Sequence, residues 1–263
     1  MIGVFDSGIG GLTVARALMD CLPGYDIVYF GDTARTPYGS KSPGTVINYS
    51  LEDSDFLLKK GAKIIVMACN TASSLATQHV QAKFDVPIFE VITPAVEMAV
   101  NCSSTSAIGV IGTRATINSG VYERLIKEKM PEARVFSAAC PLLVPLVEEG
   151  WMNRPETRMI VKKYLHPLKV RKIQSLILGC THYPILKPII ARKIGKRVNI
   201  IDSSLAVSEK VKDYLGRHPG LEKDLDKNGV FRLFVSDITA QFEKTARHIL
   251  RKNIVLERDR IKD

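Results

Sequence analysis

The sequence predicts an α/β fold of two pseudo-symmetric lobes, each a mainly parallel sheet flanked by helices, with the active site between the lobes. Short apolar runs that read as buried strands alternate with helical stretches, a pattern typical of parallel sheets covered on both faces. The series then restarts, because segment 107–113 is apolar and ends in a polar residue, like segment 2–7. These two strands are offset by 106 residues, and Cys69 and Cys180 lie 111 residues apart. The similar offsets indicate a weak internal duplication, although chance matching of short apolar strands is common.

The first lobe is predicted to begin with four strands and their helices. The strands are expected at 3–6, 27–30, 63–68 and 88–91. Helices are expected at 10–21, 49–60 and 72–84, and Pro94 is expected in the first turn of the next helix, where proline is well tolerated.

After Asp202 the chain is predicted to return to the first lobe. A helix at 204–215 precedes a polar loop containing Pro219, Gly220 and Gly229. A strand at 230–235, a helix begun by Ser236 or Asp237, and a last strand at 254–256 follow. Residues 1–95 with 206–263 are therefore predicted to form the first lobe, and residues 96–205 the second.

The composition predicts a globular cytoplasmic protein. The chain has 263 residues, of which 46% are hydrophobic and 24% charged. No apolar run approaches the roughly 18 residues needed to span a membrane, and the N-terminus does not read as a signal peptide. Five cysteines without a CxxC pair suit a reducing compartment better than a disulfide framework.

The net charge is strongly positive, with 37 basic and 27 acidic residues. Much of the excess lies in short runs at 162–163, 169–172, 192–197 and 247–262. Such a surface could attract nucleic acid or small anions. The alternative is a solvated basic surface, because these runs carry no recognisable nucleic-acid-binding motif.

Cys69 and Cys180 each end an apolar strand and are followed by small or hydroxylic residues. Open α/β sheets bind ligands at this end of their strands. One such cysteine would be typical of a buried structural thiol, whereas two suggest a single site with a thiol on each wall. Cys21, Cys102 and Cys140 lack comparable surroundings.

A helix begins after each of these two cysteines, and its dipole favours the thiolate by about 0.3–1 kcal/mol, up to about 2. This corresponds to about one and a half pKa units at most, which leaves a thiol only partly ionised near neutral pH. His182 could supply the remainder as an imidazolium beside Cys180. Asp6 near Cys69 would instead raise the thiol pKa, and could assist only by relaying or accepting the proton.

Two loops are candidate ligand walls. Segment 6–11 offers backbone N–H groups at a helix N-terminus, although Asp6 could simply cap the helix. Thr13 stands where a dinucleotide fingerprint requires its last glycine, so no nucleotide cofactor is predicted. Segment 31–39 is rich in turn formers, and within it Arg35 is either a carboxylate clamp or an exposed cation.

A zinc site is a weaker alternative for the same residues. Cys69, Cys180, His182 and Asp6 are all plausible zinc ligands. The spacing Cys180-x-His182 is unusual, however, and no second close pair supports it. No metal is therefore predicted.

Four segments resemble the bacterial glutamate racemase family, and they occur in the family's order. They are Asp6-Ser7-Gly8-Ile9-Gly10-Gly11, Gly31-Asp32-Thr33-Ala34-Arg35-Thr36-Pro37-Tyr38-Gly39, Ala68-Cys69-Asn70-Thr71-Ala72-Ser73 and Gly179-Cys180-Thr181-His182-Tyr183-Pro184. The resemblance extends to the strand and helix within 231–249. The resemblance implies a protein of two α/β lobes that often assembles as a dimer. It also implies that the protein supplies D-glutamate for peptidoglycan.

The resemblance also implies roles for individual residues. One thiolate, of Cys69 or Cys180, would remove the α-proton, and the opposite thiol would reprotonate the planar carbanion, without a cofactor. Asp6 and His182 match the partners of the first and second cysteine, and Asp32 and Glu148 match acidic residues with supporting roles. The matching substrate-binding positions are Asp6, Ser7, Tyr38, Gly39, Asn70, Thr71, Thr181 and His182.

Three other functions remain open. The first is a racemase for aspartate or another small amino acid, although His182 favours glutamate because aspartate-type relatives more often have a Glu residue there. The second is a two-lobed protein that binds an amino acid without turning it over. The third is a basic protein that contacts DNA or a DNA enzyme.

Overall fold

Two parallel β-sheets, each covered by helices on both faces, organise the chain. The computed structural model describes residues 1–102 and 107–259. Within these residues the strands β1 to β10 are Ile2–Asp6, Ile27–Gly31, Ile64–Met67, Ile88–Glu90, Ala107–Gly112, Arg134–Ala139, Ser175–Gly179, Asn199–Asp202, Phe231–Val235 and Leu256–Arg258. The helices α1 to α12 are Leu12–Cys21, Pro43–Lys59, Asn70–Lys83, Ile92–Asn101, Arg114–Asn118, Val121–Lys129, Leu143–Glu148, Pro155–Val170, Lys187–Ile194, Ser203–Arg217, Pro219–Lys223 and Ala240–Leu250.

The two sheets share one strand order. The first runs β10-β9-β2-β1-β3-β4 and the second β6-β5-β7-β8, so β2-β1-β3-β4 has its counterpart in the second sheet. Every strand pairing found in the described residues is parallel. The predicted class of two pseudo-symmetric α/β lobes is therefore confirmed, and β9 and β10 return the chain to the first sheet.

Alternating side chains of the central strands build two apolar layers in the first lobe. Val4 and Tyr29 pack with α1, α10 and α12 on one face. Phe5 and Phe30 pack with α2 and α3 on the other. All four are fully buried, which explains why these strands read as continuous apolar runs rather than as an amphipathic alternation. This burial fixes the strand ends from which the site residues project.

Helix α2 begins six residues before its predicted start. Ser42 lies at the N-cap, where its hydroxyl accepts a hydrogen bond from Thr45 N at 3.4 Å, and Pro43 occupies the first helical position. A cap followed by proline is a strong start signal. The prediction missed it because apolar periodicity becomes evident only further along the helix.

Helix α12 begins at Ala240, so the prediction of a start at Ser236 or Asp237 was wrong. Thr239 is the cap, and its hydroxyl accepts from Phe242 N at 3.1 Å. The Ser236 hydroxyl donates instead to Asp32 Oδ1 at 3.0 Å, so tertiary contacts occupy it. In the preceding polar loop the structure forms the short helix α11.

The predicted lobe boundaries stay a prediction. The positions 95–96 and 205–206 fall inside α4 and α10, two helices that pack against each other. Parts of these predictions, residues 103–106 and 260–263, lie outside the described residues, as does the end of the basic run 247–262. Within the described ranges no helix has the length and apolar character that crossing a bilayer requires.

Candidate active site

The two strand-end cysteines line one cavity between the lobes. Cys69 follows β3 at the N-cap of α3, and Cys180 follows β7, three residues before a 3₁₀ turn at Tyr183–Leu186. Both side chains are buried, with 5% of each exposed. The cavity lining comprises Ser7, Thr36, Pro37, Tyr38, Gly39, Cys69, Asn70, Thr71, Thr113, Val144, Cys180, Thr181 and His182. The predicted residues Asp6, Asp32 and Glu148 do not line the cavity, but each is hydrogen-bonded to a residue that does, namely Thr181, Tyr38 and His182 respectively.

The cavity is too small for an amino acid. Its volume is about 20 Å³, which accommodates about one water molecule. Glutamate has ten non-hydrogen atoms and cannot fit beside the two thiols in this arrangement. The structure therefore describes a closed arrangement, and the cavity must widen to admit a substrate.

Cys69 is held as a neutral thiol. Its sulfur donates to Ser7 Oγ at 3.6 Å. Burial raises the pKa of Cys69 to about 12, and the negative charge of Asp6 adds to the rise, while the hydrogen bonds that Ala72 N and the Ser7 hydroxyl can donate to a thiolate oppose it. In this state Cys69 is equipped to donate a proton rather than to accept one.

The Asp6 carboxylate accepts hydrogen bonds from the loop that follows it in the chain. Its Oδ2 accepts from the N–H groups of Gly8 at 3.0 Å and Gly11 at 2.9 Å, and Oδ1 accepts from the Thr181 hydroxyl at 3.3 Å. The expected anion site at 6–11 is thus filled by the Asp6 carboxylate, and Gly11, not Asp6, is the N-cap of α1. Burial raises the pKa of Asp6, although the charge of His182 and these hydrogen bonds oppose that rise. Asp6 acts on Cys69 through its charge, and Ser7 is the group in contact with the thiol.

Cys180 faces an imidazole that is paired on its other side. Cys180 Sγ lies 3.8 Å from His182 Nδ1, and His182 Nε2 lies 3.2 Å from Glu148 Oε1. Burial lowers the pKa of His182, but the hydrogen bonds to Cys180 and Glu148 outweigh burial and hold the pKa well above its usual 6.5. A protonated His182 stabilises negative charge on the Cys180 sulfur. The two thiols are therefore unequal, one beside a carboxylate and one beside an imidazolium.

Two buried polar atoms of the cavity lining have no hydrogen-bond partner. They are Asn70 Nδ2 and Thr36 Oγ1, and no other buried side-chain nitrogen or oxygen atom of the described residues is in this condition. A buried donor left unsatisfied costs about 1–3 kcal/mol. Their location in the cavity of the two cysteines indicates a site built for a polar ligand.

Thr113 is a site residue that the sequence analysis did not single out. It follows β5, and its hydroxyl lies 3.0 Å from those of both Thr71 and Thr116. A Cβ added to Gly39 would lie 2.8 Å from Thr113 Cβ, so this position joins the lobes. The repeat offset of 106 residues aligns Thr113 with Ser7, a signal that could have found it.

Tyr38 contributes to the cavity wall, but its hydroxyl points into a buried acidic network. It donates to Asp32 and lies 2.8 Å from Asp53 Oδ2. Burial, and next the charge of Asp32, raise the pKa of Asp53 well above its usual range, while Arg35 and the Tyr38 hydroxyl oppose that rise. The Tyr38 hydroxyl is therefore committed to this network rather than to the cavity.

Arg35 is not a carboxylate clamp for a ligand. It pairs with Asp32, Glu52 and Asp53, and its guanidinium lies 3.9 Å from the ring centroid of Tyr49. All its charge is engaged within the first lobe. Arg35 therefore anchors the 32–39 loop beside the cavity.

We expect Glu148→Gln to lower the pKa of His182, because the substitution removes a negative charge 3.2 Å from Nε2. A raised histidine pKa contributes stability that is complete below about pH 6.5 and lost as pH rises through the folded-state pKa. The difference in unfolding free energy between wild type and variant should therefore be largest near pH 6 and shrink at higher pH. Ring NMR of His182 measures the pKa directly, and an unchanged titration midpoint would show that Glu148 does not set it.

The fold and the site together define a class of protein. Two α/β lobes close on a cavity that holds a thiol from each lobe, an arrangement suited to proton transfer at two faces of one small molecule. In the part of the chain that is described, no group of three His, Cys, Asp or Glu side chains is placed to hold a metal ion.

Comparison with known proteins agrees with this class. The family model for Asp/Glu/hydantoin racemases matches residues 13–211. The glutamate racemase of Persephonella marina is 46% identical over 259 residues, 98% of this chain and 96% of that protein. The chain belongs to the Asp/Glu/hydantoin racemase family, and it is accordingly a racemase.

Solved structures extend the likeness to the whole fold. The glutamate racemase isoform RacE1 of Bacillus anthracis has a TM-score of 0.92 and 36% identity, covering 98% of this chain and 97% of that one. The Francisella tularensis glutamate racemase in complex with D-glutamate has a TM-score of 0.90 and 40% identity, covering 99% and 97%. A Picrophilus torridus aspartate racemase has a TM-score of 0.58 and 18% identity, and shares the fold alone.

Proposed function

We propose that the protein interconverts L- and D-glutamate by two-base proton transfer between Cys69 and Cys180, without a cofactor. The observation that carries the proposal is the placement of both buried thiols in one cavity between the lobes. Similarity to glutamate racemases at 46% identity supports the choice of substrate.

The unequal surroundings of the two thiols determine which thiol removes a proton first and which one donates. Cys69 holds its proton, because burial and Asp6 raise its pKa to about 12. The Cys180 thiolate, stabilised by protonated His182, removes the α-proton from the enantiomer whose α-proton faces Cys180. Cys69 then delivers its proton to the opposite face of the planar carbanion. The two cysteines end with exchanged protonation states. Conversion of the opposite enantiomer then restores the original states.

Enclosure of the substrate between the lobes would supply the stabilisation that this carbanion needs. Removing a proton from the weakly acidic α-carbon requires fixed dipoles in a site that excludes water. The buried donor Asn70 Nδ2 is free to bind a substrate carboxylate oxygen. The negative charge of Asp6 would attract the substrate ammonium group.

The test is incubation of L- or D-glutamate with the purified protein in D₂O without pyridoxal phosphate. Polarimetry should show loss of optical rotation, and NMR should show deuterium at the α-carbon. Absence of both for glutamate would remove the proposal. Aspartate in parallel separates the related racemase activity, and glutamate binding without exchange identifies the non-catalytic alternative.

The cellular setting is proposed with the activity. A supply of D-glutamate for peptidoglycan, a cytoplasmic location and a homodimer all rest on the resemblance to the family. Light scattering on the purified protein measures the oligomeric state. Rescue of a D-glutamate-requiring bacterium by the wild-type chain, but not by Cys69→Ser, would link the activity to the cell wall.

A second candidate role rests on the position of the basic charge. Residues 157–198 contain eleven Lys and Arg and no acidic residue, which leaves 26 of the 37 basic residues against all 27 acidic ones elsewhere. A groove of about 530 Å³ between α8 and α9 lies within this segment. Its lining is Lys162, His166, Lys169, Val170, Lys172, Arg192 and Lys193.

A polyanion such as nucleic acid would bind this groove through its phosphates. The groove lies near the ends of α8 and α9 that lead into the sheet, opposite the strand end that carries Cys180. Fluorescence anisotropy with a short DNA duplex should show affinity that falls steeply with salt and is weakened by Lys162→Glu with Lys169→Glu. No binding at about 0.15 M salt would discard this role.

A further inference from the structure

Tyr122 is a buried side chain that contacts the segments flanking both cysteines. It lies on α6, and its hydroxyl donates to Asn70 Oδ1 at 2.6 Å. Its ring lies against Gly179, where an added Cβ would be only 3.1 Å from Tyr122 Cε2. Asn70 directly follows Cys69, and Gly179 directly precedes Cys180. One side chain thus spans the two backbone segments that place the thiols.

The hydrogen bond decides which atom of Asn70 is available to a ligand. Burial raises the pKa of Tyr122 well above its usual 10, so the phenol keeps its proton and donates it. The amide oxygen of Asn70 accepts that proton. Nδ2 is thereby turned away from Tyr122, and it is one of the buried atoms without a partner. Because Asn70 lines the cavity, its donor is held ready for an acceptor there.

We propose that Tyr122 is a positioning residue that makes Asn70 present an N–H donor to a substrate carboxylate and that aligns the two cysteine segments. The inference rests on the proposed function. Without the hydroxyl the Asn70 amide can rotate by a half turn and direct its oxygen at the carboxylate. Two acceptors would then face each other, which weakens binding of an anionic substrate.

The inference also joins binding to the contact between the lobes. Tyr122 lies in the helical layer packed on the second sheet, whereas Asn70 starts a helix of the first lobe. Their hydrogen bond therefore joins the two lobes. A bound glutamate needs a wider cavity than the present one, and we expect this bond to persist when the cavity widens, so that the donor stays oriented towards the substrate.

The test is Tyr122→Phe, which keeps the ring against Gly179 and removes only the hydroxyl. KM for glutamate should rise about tenfold, the loss expected for one hydrogen bond to a charged group, while kcat changes by less than about threefold. In an Asn70→Ala background the same substitution should leave KM unchanged, because the amide on which it acts is gone. Tyr164→Phe, on α8 of the same lobe, is the control and should keep wild-type KM.

The outcomes separate the alternatives. An active wild type with an unchanged KM in Tyr122→Phe, or a KM increase that persists in the Asn70→Ala background, overturns the inference alone. A wild type that exchanges no α-proton overturns the proposed function and this inference with it. If Tyr122→Phe does not fold, Asn70→Asp tests the same orientation. Tyr122 would hold one oxygen of the new carboxylate, and the other oxygen would repel the substrate carboxylate, so KM should exceed that of Asn70→Ala. An equal KM in the two variants would contradict the inference.

Discussion

Serine in place of Cys69 or Cys180 is expected to lower kcat/KM for glutamate racemisation by about 10³-fold, within the range of about 10² to 10⁴ for loss of a general acid or base. A hydroxyl is a much weaker acid than a thiol, so it can neither hold the negative charge nor release the proton at the required step. Each turnover uses both thiols, and either substitution should therefore be nearly as damaging as both together.

Thermodynamics adds a constraint to this result. The two enantiomers have the same free energy in achiral water, so kcat/KM must be equal in the two directions for wild type and for every variant. A variant can have different kcat values for the two enantiomers only if its KM values differ by the same factor. Unequal surroundings of Cys69 and Cys180 should therefore appear as unequal kcat values for L- and D-glutamate.

Cys102→Ser is the matched control, because Cys102 is exposed at the end of α4, away from the cavity. Coupled assays from each enantiomer measure the rates, and circular dichroism checks that the variants fold. Near-normal activity in either active-site variant would exclude the two-thiol mechanism. A loss equal to theirs in Cys102→Ser would indicate a general sensitivity to serine rather than a catalytic role.

The order of strands and helices could be predicted because burial leaves a periodic record in the sequence. β1, β2 and β3 are covered on both faces, so they appear as continuous apolar runs. Helix ends were less predictable where tertiary contacts compete for capping residues. Ser236 resembles a cap in the sequence, but its hydroxyl is used by Asp32.

The cysteines were found because two similar strand ends repeat, whereas contacts between the lobes leave no such record. The Tyr122–Asn70 hydrogen bond joins residues 52 positions apart. The engagement of Arg35 by three carboxylates depends on the placement of α2, which periodicity alone does not give. The small volume of the cavity likewise depends on how closely the lobes approach.

That approach depends on Gly10, whose lack of a side chain lets the first lobe meet the second. A Cβ built on Gly10 would collide with His182 Nδ1 and with Thr181 Oγ1. Gly10→Ala should therefore hold the lobes apart or displace His182 from Cys180. We expect kcat/KM to fall about 10²-fold, because a misplacement of about 1 Å has that effect on a positioned reaction.

Alkylation of the cysteines can distinguish a folded Gly10→Ala variant whose lobes are held apart from one that is unfolded. Cys69 and Cys180 are 5% exposed in the closed state, so iodoacetamide should modify them slowly in wild type and faster in Gly10→Ala. Exposed Cys102 should react at one rate in both, and it serves as the internal standard. Gly216→Ala, where an added Cβ meets nothing within 4 Å, should leave rates and activity unchanged. Wild-type activity together with wild-type alkylation in Gly10→Ala would mean that the loop yields to the methyl group, and that closure does not depend on contact at Gly10.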